Sequence, residues 1–194
     1  MNYRCSILYA LLMACAMHLS AQTIAMKSNL LYTATTTPNV GAEITIGKKL
    51  TGQLFYGLNP WEFEKNKKIR HWLVMPELRY WTCSPFNGHF VGIHALGGQF
   101  NLAGINIPKG ITPFGKLDDI KHHHYEGYYL GVGLTYGYQW ILSRHWNFEA
   151  SIGVGYTYLD YTRYQCATCG FKEQEGNTHY LGPTKEVLSL IYVF

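Results

Sequence analysis

Strict alternation of side-chain character along several long segments constrains this fold more than any other feature of the sequence. In segment 146–158, apolar or aromatic residues occupy every even position, and Asn, Glu, Ser, Gly or Thr occupies each position between them. Segment 126–138 alternates in the same way, with Tyr, Leu and Val on one side and mostly Gly on the other. A period of two residues predicts β-strands whose two faces meet different surroundings.

The same pattern predicts eight strands and no helix. They span residues 26–35, 42–47, 50–58, 72–82, 89–100, 126–138, 146–158 and 186–194. Pro76 lies inside the fourth segment and lacks a backbone donor, so it predicts a sheet edge or a bulge there. Connections 47–49, 83–88 and 142–145 are short, whereas connections 59–71, 101–125 and 161–183 are long.

The composition favours a membrane environment for these strands. Charged residues make up only 14% of the chain and aromatic residues 15%, whereas about a quarter of an average soluble domain is charged. The apolar faces are unbroken, and aromatic residues cluster near strand ends. We therefore predict an eight-stranded antiparallel transmembrane β-barrel of the outer-membrane type, with lipid outside and small or polar side chains inside. A soluble antiparallel barrel or sandwich is the alternative.

The N-terminus predicts export. Residues 1–21 combine Arg4, an apolar stretch at 6–14 and the small residue Ala21 before Gln22, which is typical of a cleaved signal peptide. The predicted mature domain is 22–194, located in the bacterial outer membrane. A lipid anchor at Cys15 is the alternative, because residues 12–15 resemble a lipobox.

Strand phase predicts a charged cluster inside the barrel. Glu43, Glu77, Arg79 and Glu149 point inward, and His94 and Lys185 are expected to join them. An eight-stranded barrel is too narrow for an open channel, and buried charges must pair, so we interpret the cluster as a structural plug. The alternatives are an ion path or an enzyme that acts on membrane lipid. No catalytic residue and no cofactor is assigned.

Cysteine and histidine residues concentrate in the long loops. Cys166 and Cys169 are the candidate disulfide, and Cys83 is expected to be a free thiol in a periplasmic turn. A metal site combining residues 122–124 and His179 with these cysteines is the alternative, but the spacing matches no standard zinc motif. A basic loop is interpreted as an ordinary charged loop or as a contact for anionic lipopolysaccharide or a partner: Lys65, Lys67, Lys68 and Arg70. The net charge of +4 is too small and scattered to indicate nucleic acid.

A set of short motifs carries a resemblance that covers nearly all of residues 26–194. They are KSNLLY at 27–32, TPN at 37–39, NPW at 59–61, PELRYW at 76–81, YGYQW at 136–140, GVGY at 153–156 and GPTK at 182–185. The chain resembles a Bacteroidales family of small OmpA-like outer-membrane barrels of unknown function, whose genes often lie beside fimbrial genes. The resemblance implies fold and location, implies surface or fimbrial proteins as partners, and supplies no catalytic residue.

An alternating apolar stripe ends the chain: Leu188, Leu190, Tyr192 and Phe194. Tyr192 and Phe194 resemble the assembly signal that the barrel-insertion machinery reads in such proteins. The functional hypothesis is a non-enzymatic outer-membrane protein that contacts membrane lipid and displays surface loops.

Overall fold

The computed structural model describes residues 24–63, 67–105, 114, 117, 120–165 and 170–194. Within these ranges the protein consists almost entirely of strands, with one short helix. The elements are β1 (Ile24–Asn29), α1 (Leu30–Ala34), β2 (Asn39–Gly47), β3 (Leu50–Asn59), β4 (Glu62–Phe63), β5 (Lys67–Trp81), β6 (Gly88–Ala103), β7 (His124–Ile141), β8 (Trp146–Tyr164) and β9 (Lys172–Val193).

The strands form a closed ring. Each strand pairs antiparallel with its neighbour in the order β3, β2, β1, β9, β8, β7, β6, β5, and pairing of β3 with β5 closes the ring. The two-residue strand β4 adds only a short pairing to β5. The prediction of eight antiparallel strands is confirmed. Ile24, Val193 and the three tight connections lie at one end of the ring, which we call the turn end. The helix α1 and the long connections lie at the opposite end, which we call the loop end.

The first predicted strand is wrong beyond Asn29. There the chain turns into α1, because the Asn29 side chain accepts a hydrogen bond from the Leu31 amide at 3.1 Å and so caps the helix. The helix ends at Ala34 with Thr35 as its C-cap, and Thr36 takes a left-handed conformation with φ of 59°. Pro38 follows, so the helix cannot continue. A helix of five residues therefore interrupts a segment that alternation alone predicted to be a strand.

The predicted long loop at 161–183 is mostly strand. β8 continues to Tyr164 and β9 starts at Lys172, so a two-stranded extension projects beyond the rest of the ring. Residues 172–179 of β9 carry no apolar side chain on either face, so no apolar alternation marks them as strand. Backbone pairing with β8 holds β9 there, as in the pairs Leu159 with Thr178 and Thr162 with Glu175.

Two of the irregularities in the sheet concern the prediction for Pro76 and the residues that face the interior. Pro76 is neither at an edge nor in a bulge, as β5 pairs with strands on both sides; instead the β5–β6 ladder is interrupted between Val74 and Glu77 and resumes in the same register. The bulge lies in β9, where Val154 pairs with Pro183 but Gly153 pairs with Lys185. The extra residue, Thr184, lets Thr184 and Lys185 both point into the ring, since a bulge re-aims side chains.

The interior consists of three layers. Ala25, Phe86 and Ile191 pack at the turn end, beside Trp81 and Phe90, whose ring centroids are 4.8 Å apart. A larger apolar core fills the loop-end half: Phe55, Leu73, Met75, Leu96, Phe100, Leu102, Leu117, Ile120, Tyr125, Tyr129, Leu159 and Tyr180. The middle layer is polar and charged. No helix within the described ranges is long and apolar enough to cross a membrane.

Candidate functional site

Arg79 is the centre of the middle layer. Its guanidinium donates from Nη1 and Nη2 to the two carboxylate oxygens of Glu149 at 2.8 and 3.0 Å, from Nη1 to Glu43 at 3.0 Å, and from Nε to Glu77 at 3.0 Å. Nη2 also lies 2.9 Å from the Glu77 carboxylate. All four side chains are fully shielded from solvent. The planar fork suits this role because it can bond several carboxylates at once and stays charged.

Two lysines complete the cluster. Lys27 Nζ contacts Glu43 at 2.5 Å and Glu149 at 2.9 Å, and Lys185 Nζ donates to Glu77 at 2.6 Å. The ionic cluster, defined as Lys27, Glu43, Glu77, Arg79, Glu149 and Lys185, therefore holds three cations and three carboxylates. The cluster is formally neutral. Burial of its charges is tolerated because each charged group contacts a group of opposite charge.

Polar neighbours fix the carboxylates further. Thr51 Oγ1 donates to Glu43 at 2.5 Å and in turn accepts from the Trp81 indole at 2.9 Å. Ser151 donates to Glu149 at 3.0 Å. On the turn-end side, the Arg79 guanidinium carbon lies 4.4 Å from the centroid of the Phe90 ring, within the range of a cation–π contact. The cluster thus continues into the aromatic layer below it.

His94 lies beside the ionic cluster but hydrogen-bonds to hydroxyl groups. Its Nδ1 is 2.9 Å from Thr135 Oγ1 and its Nε2 is 3.0 Å from Thr184 Oγ1. Glycines make room for the ring: a Cβ built on Gly133 would lie 2.6 Å from His94 Cε1, and one on Gly153 would lie 2.8 Å from it. The small inner-face residues therefore serve to accommodate large polar side chains.

The structure thus brings Glu43, Glu77, Arg79, Glu149 and Lys185 together, with His94 adjacent. Sequence reasoning missed Lys27, which is 4% exposed. Strand phase alone did not distinguish its face, because β1 is short and its two faces both carry apolar residues. Charge balance was the available signal: without Lys27, three inward carboxylates face only two strong cations.

Other predicted residues lie apart from the cluster. Cys166 and Cys169 fall outside the described residues, as do residues 1–21 and Lys65. Cys83 is exposed, and its thiol is free, in the connection between β5 and β6. Phe194 is 66% exposed, with its ring 5.0 Å from that of Tyr192. Its backbone amide donates to the Ile24 carbonyl at 2.9 Å.

The loop histidines take ordinary polar partners. His124 Nε2 lies 2.9 Å from Asn101 Oδ1 and 3.2 Å from a Glu126 carboxylate oxygen, and His123 lies 3.6 Å from Glu173. Within the part of the chain that the structure describes, no group of three or more His, Cys, Asp or Glu side chains is arranged to hold a metal ion. Three residues of the predicted basic loop, Lys67, Lys68 and Arg70, lie in strand β5 instead. Arg70 pairs with Glu62 of β4 at 3.1 Å, and both side chains are about half exposed.

Several motifs identified in the sequence converge structurally. PELRYW supplies Glu77 and Arg79, GPTK supplies the bulge with Lys185, and GVGY supplies the glycine that admits His94. In the NPW motif, Asn59 donates to Thr37 Oγ1 at 3.1 Å and the Trp61 indole donates to the Thr36 carbonyl at 2.8 Å. The motifs therefore supply residues of the interior and hydrogen bonds that fix the chain at the loop end. Chemically, the paired and enclosed charges are suited to holding strands together.

A family model described as "Protein of unknown function (DUF3575)" matches residues 7–194. No curated protein and no solved structure matches the chain. Because the family model covers almost the entire sequence, the chain belongs to the DUF3575 family of proteins of unknown function.

Proposed function

We propose that the ring is a transmembrane β-barrel of the bacterial outer membrane, OmpA-like in shape. The observation that carries this proposal is a continuous apolar outer surface. Eight aliphatic side chains from five strands are each between 49% and 63% exposed: Leu54, Leu78, Ile93, Leu130, Val132, Leu134, Ile152 and Val154. Soluble monomers rarely expose a contiguous apolar surface of this kind, whereas lipid-facing strands require one.

Aromatic side chains border this apolar belt on both sides. Tyr56 and Trp61 are exposed toward the loop end, and Tyr136, Trp140 and Trp146 are exposed toward the turn end. Amphipathic rings of this type favour the two membrane–water interfaces. Their placement supports a membrane whose hydrocarbon layer surrounds the aliphatic belt, with the turn end in the periplasm.

The filled interior supports a non-enzymatic role. The ionic cluster and the two apolar layers occupy the ring along its length, so the proposed barrel is a rigid support for its loop end rather than a conduit. We propose that it reaches the membrane after cleavage of residues 1–21, with the insertion machinery reading Tyr192 and Phe194. The family resemblance supports a partner among fimbrial or other surface proteins for the displayed loops.

The membrane location is tested by Leu134→Arg, measured as the free energy of unfolding in urea after refolding into lipid vesicles. Leu134 is 62% exposed, so an arginine there creates no internal clash. If the belt faces lipid, the substitution should cost about 2–4 kcal/mol, as charged residues near a bilayer midplane do. On a water-facing surface the change should stay within about 0.5 kcal/mol.

Gln174→Arg is the matched control, because Gln174 is exposed in the extension beyond the belt. A Leu134→Arg variant as stable as this control would refute the membrane proposal. Planar-bilayer recordings test the plug separately: the wild type should show no single-channel conductance, and steady ion conduction would favour the pore alternative.

A further inference from the structure

The wall of the ring is incomplete on one side near the loop end. β1 pairs with β9 only through residues 25–29, opposite residues 189–193. Beyond that point the chain leaves the sheet as α1, while β9 continues to Lys172 with β8 alone as its strand partner. Among the described residues, no strand pairs with the other edge of β9 from residue 172 to residue 188.

Asn29 marks the lower limit of this gap. Its Nδ2 donates to the Glu186 carbonyl at 3.0 Å, and its Oδ1 accepts from the Leu188 amide at 3.3 Å. These two bonds to the β9 backbone take the place of the next backbone pairing that a longer β1 would make. On the β2 side, Asn39 fixes the Asn29 backbone, since its Oδ1 accepts from the Asn29 amide at 2.7 Å. The gap is therefore a built feature with a defined edge.

An apolar cavity of about 290 Å³ lies behind the gap. Its lining includes Leu31 and Tyr32 of α1 together with Leu73, Met75, Leu96 and Tyr129 of the loop-end core. Leu31 is 40% exposed and lies on the α1 side of the gap. This volume is at the lower end of the range for small-molecule sites, and the predominantly apolar lining suits a short hydrocarbon chain.

Glu186 adds a charge to the lining of this cavity. It pairs with Ile152, so its side chain emerges on the apolar outer face of the sheet. No hydrogen bond or ion pair from another described residue reaches its carboxylate. A carboxylate on a lipid-facing surface is costly, and it accepts hydrogen bonds but donates none when ionised. The complementary ligand group is a cation that carries N–H donors.

We propose that the gap between α1 and β9 is a side entrance through which a single-chain amphiphile with an amine head group places its hydrocarbon chain in the cavity. The ammonium group pairs with Glu186 at the entrance. The inference rests on the proposed function, because the entrance opens toward lipid only if the ring spans a membrane. Free alkylamines and the head groups of lysophospholipids both carry such an amine, and these two sources are separate arms of the test.

The test is photo-crosslinking of the full chain refolded in phosphatidylcholine vesicles, with sites mapped by mass spectrometry. The probes are dodecylamine, dodecanol and a dodecanoyl lysophosphatidylethanolamine, each with a diazirine at the chain terminus. Amine probes should label peptides containing Leu73, Met75 or Leu96. Glu186→Gln should lower labelling by dodecylamine about tenfold, a scale expected for loss of a charge-assisted hydrogen bond, and leave labelling by dodecanol unchanged.

Leu96→Trp should fill the cavity and abolish internal labelling by both amine probes. Leu31→Trp blocks the entrance from the exposed side, and it decides the question if Leu96→Trp does not fold. Leu134→Trp, on the outer belt, is the control that should label like the wild type. Labelling by only one amine probe identifies the source of the amine.

Two results would overturn the entrance and leave the membrane proposal intact. One is labelling confined to the outer belt. The other is a ratio of dodecylamine labelling to dodecanol labelling that Glu186→Gln does not change. Failure of the wild type to insert into vesicles, seen as full protease sensitivity, would overturn both.

Discussion

At the scale of single residues, Arg79 connects more of the fold than any other side chain of the ionic cluster. It bonds carboxylates from β2, β8 and its own strand, and it reaches the aromatic layer through Phe90. A lysine has three donors around one point and cannot reproduce the two parallel bonds to Glu149. Arginine is therefore required by geometry as well as by charge.

Arg79→Ala should lower the free energy of unfolding by about 3–5 kcal/mol, because it leaves buried carboxylates without their partner. Arg79→Lys should fall between this variant and the wild type. Urea unfolding of protein refolded in vesicles, followed by tryptophan fluorescence, measures both. Arg70→Ala is the control: its exposed pair with Glu62 should contribute at most about 1 kcal/mol. An Arg79→Ala midpoint equal to that of Arg70→Ala would contradict the role of Arg79.

Gly133→Ala should destabilise the ring by about 1–3 kcal/mol, since a methyl group would press on the His94 ring and overpacked interiors relax poorly. The same unfolding measurement applies. Gly170→Ala is the matched control, because a Cβ at Gly170 would meet nothing within 4 Å. Equal stability of the two variants would mean that the His94 ring can shift to make room for a methyl group. Gly133 would then not be required to accommodate that ring.

Strand phase predicted which of these residues point inward, and it failed where the backbone departs from a uniform period. Glu43, Arg79 and Glu149 lie in regular stretches, so alternation placed them on the inner face. Thr184 and Lys185 are adjacent and both buried, which no period of two allows; only the bulge accounts for it. Of the two hydroxyl partners of His94, Thr135 lies on the neighbouring strand β7, whereas Thr184 lies on β9 at the bulge. Strand phase could not predict the contact with Thr184, because a regular period does not place a bulge.

At the scale of elements, the short helix shows how two asparagines interrupt a strand. Asn29 caps α1 and bonds β9, and Asn39 bonds the Asn29 backbone from β2. Side-chain amides of this kind compete with regular pairing by offering the backbone other partners. The segment after Asn29 alternates like a strand, and alternation alone does not reveal these hydrogen bonds between side chains and backbone.

Asn29→Ala should free the start of α1 and the neighbouring edge of β9. The loss of the cap and of two bonds to β9 should cost about 1–3 kcal/mol. Amide hydrogen exchange at Leu31 and Leu188 should become faster. Asn177→Ala, an exposed position in the β9 extension, should leave both rates unchanged. Unchanged exchange in Asn29→Ala would show that the backbone holds this junction without the side chain.

At the scale of the whole molecule, the ring has a seam where β1 pairs with β9, the first and last strands of the described chain. Phe194 extends this seam, since its amide bonds Ile24 while its ring stays exposed beside Tyr192. An exposed aromatic ring contributes little internal packing. Its proposed role as an assembly signal therefore makes a prediction distinct from stability.

Phe194→Asp should reduce the amount of folded protein found in the membrane of cells, while the protein refolded in vitro keeps its unfolding midpoint within about 0.5 kcal/mol of the wild type. Heat-modifiable gel migration reports the folded fraction in membranes. Phe171→Asp is the control, because Phe171 is also an exposed aromatic, 75% accessible, but lies beside the tip of the extension. Normal membrane levels of Phe194→Asp would rule out the signal.

The spread of the ionic cluster along the sequence has a consequence for the order of folding. Its members come from five of the eight strands, and the contacts join residues far apart in sequence: 122 positions separate Lys27 from Glu149, and 108 separate Glu77 from Lys185. Paired strands supply one acid and one base each, but Arg79 also bonds Glu43 and Glu149, which lie 36 and 70 positions away. A partly assembled sheet would therefore leave these charges without some of their partners. We expect late, cooperative closure in which the pairing of the first and last strands completes these contacts, so that truncated or misregistered chains are less stable than the complete ring.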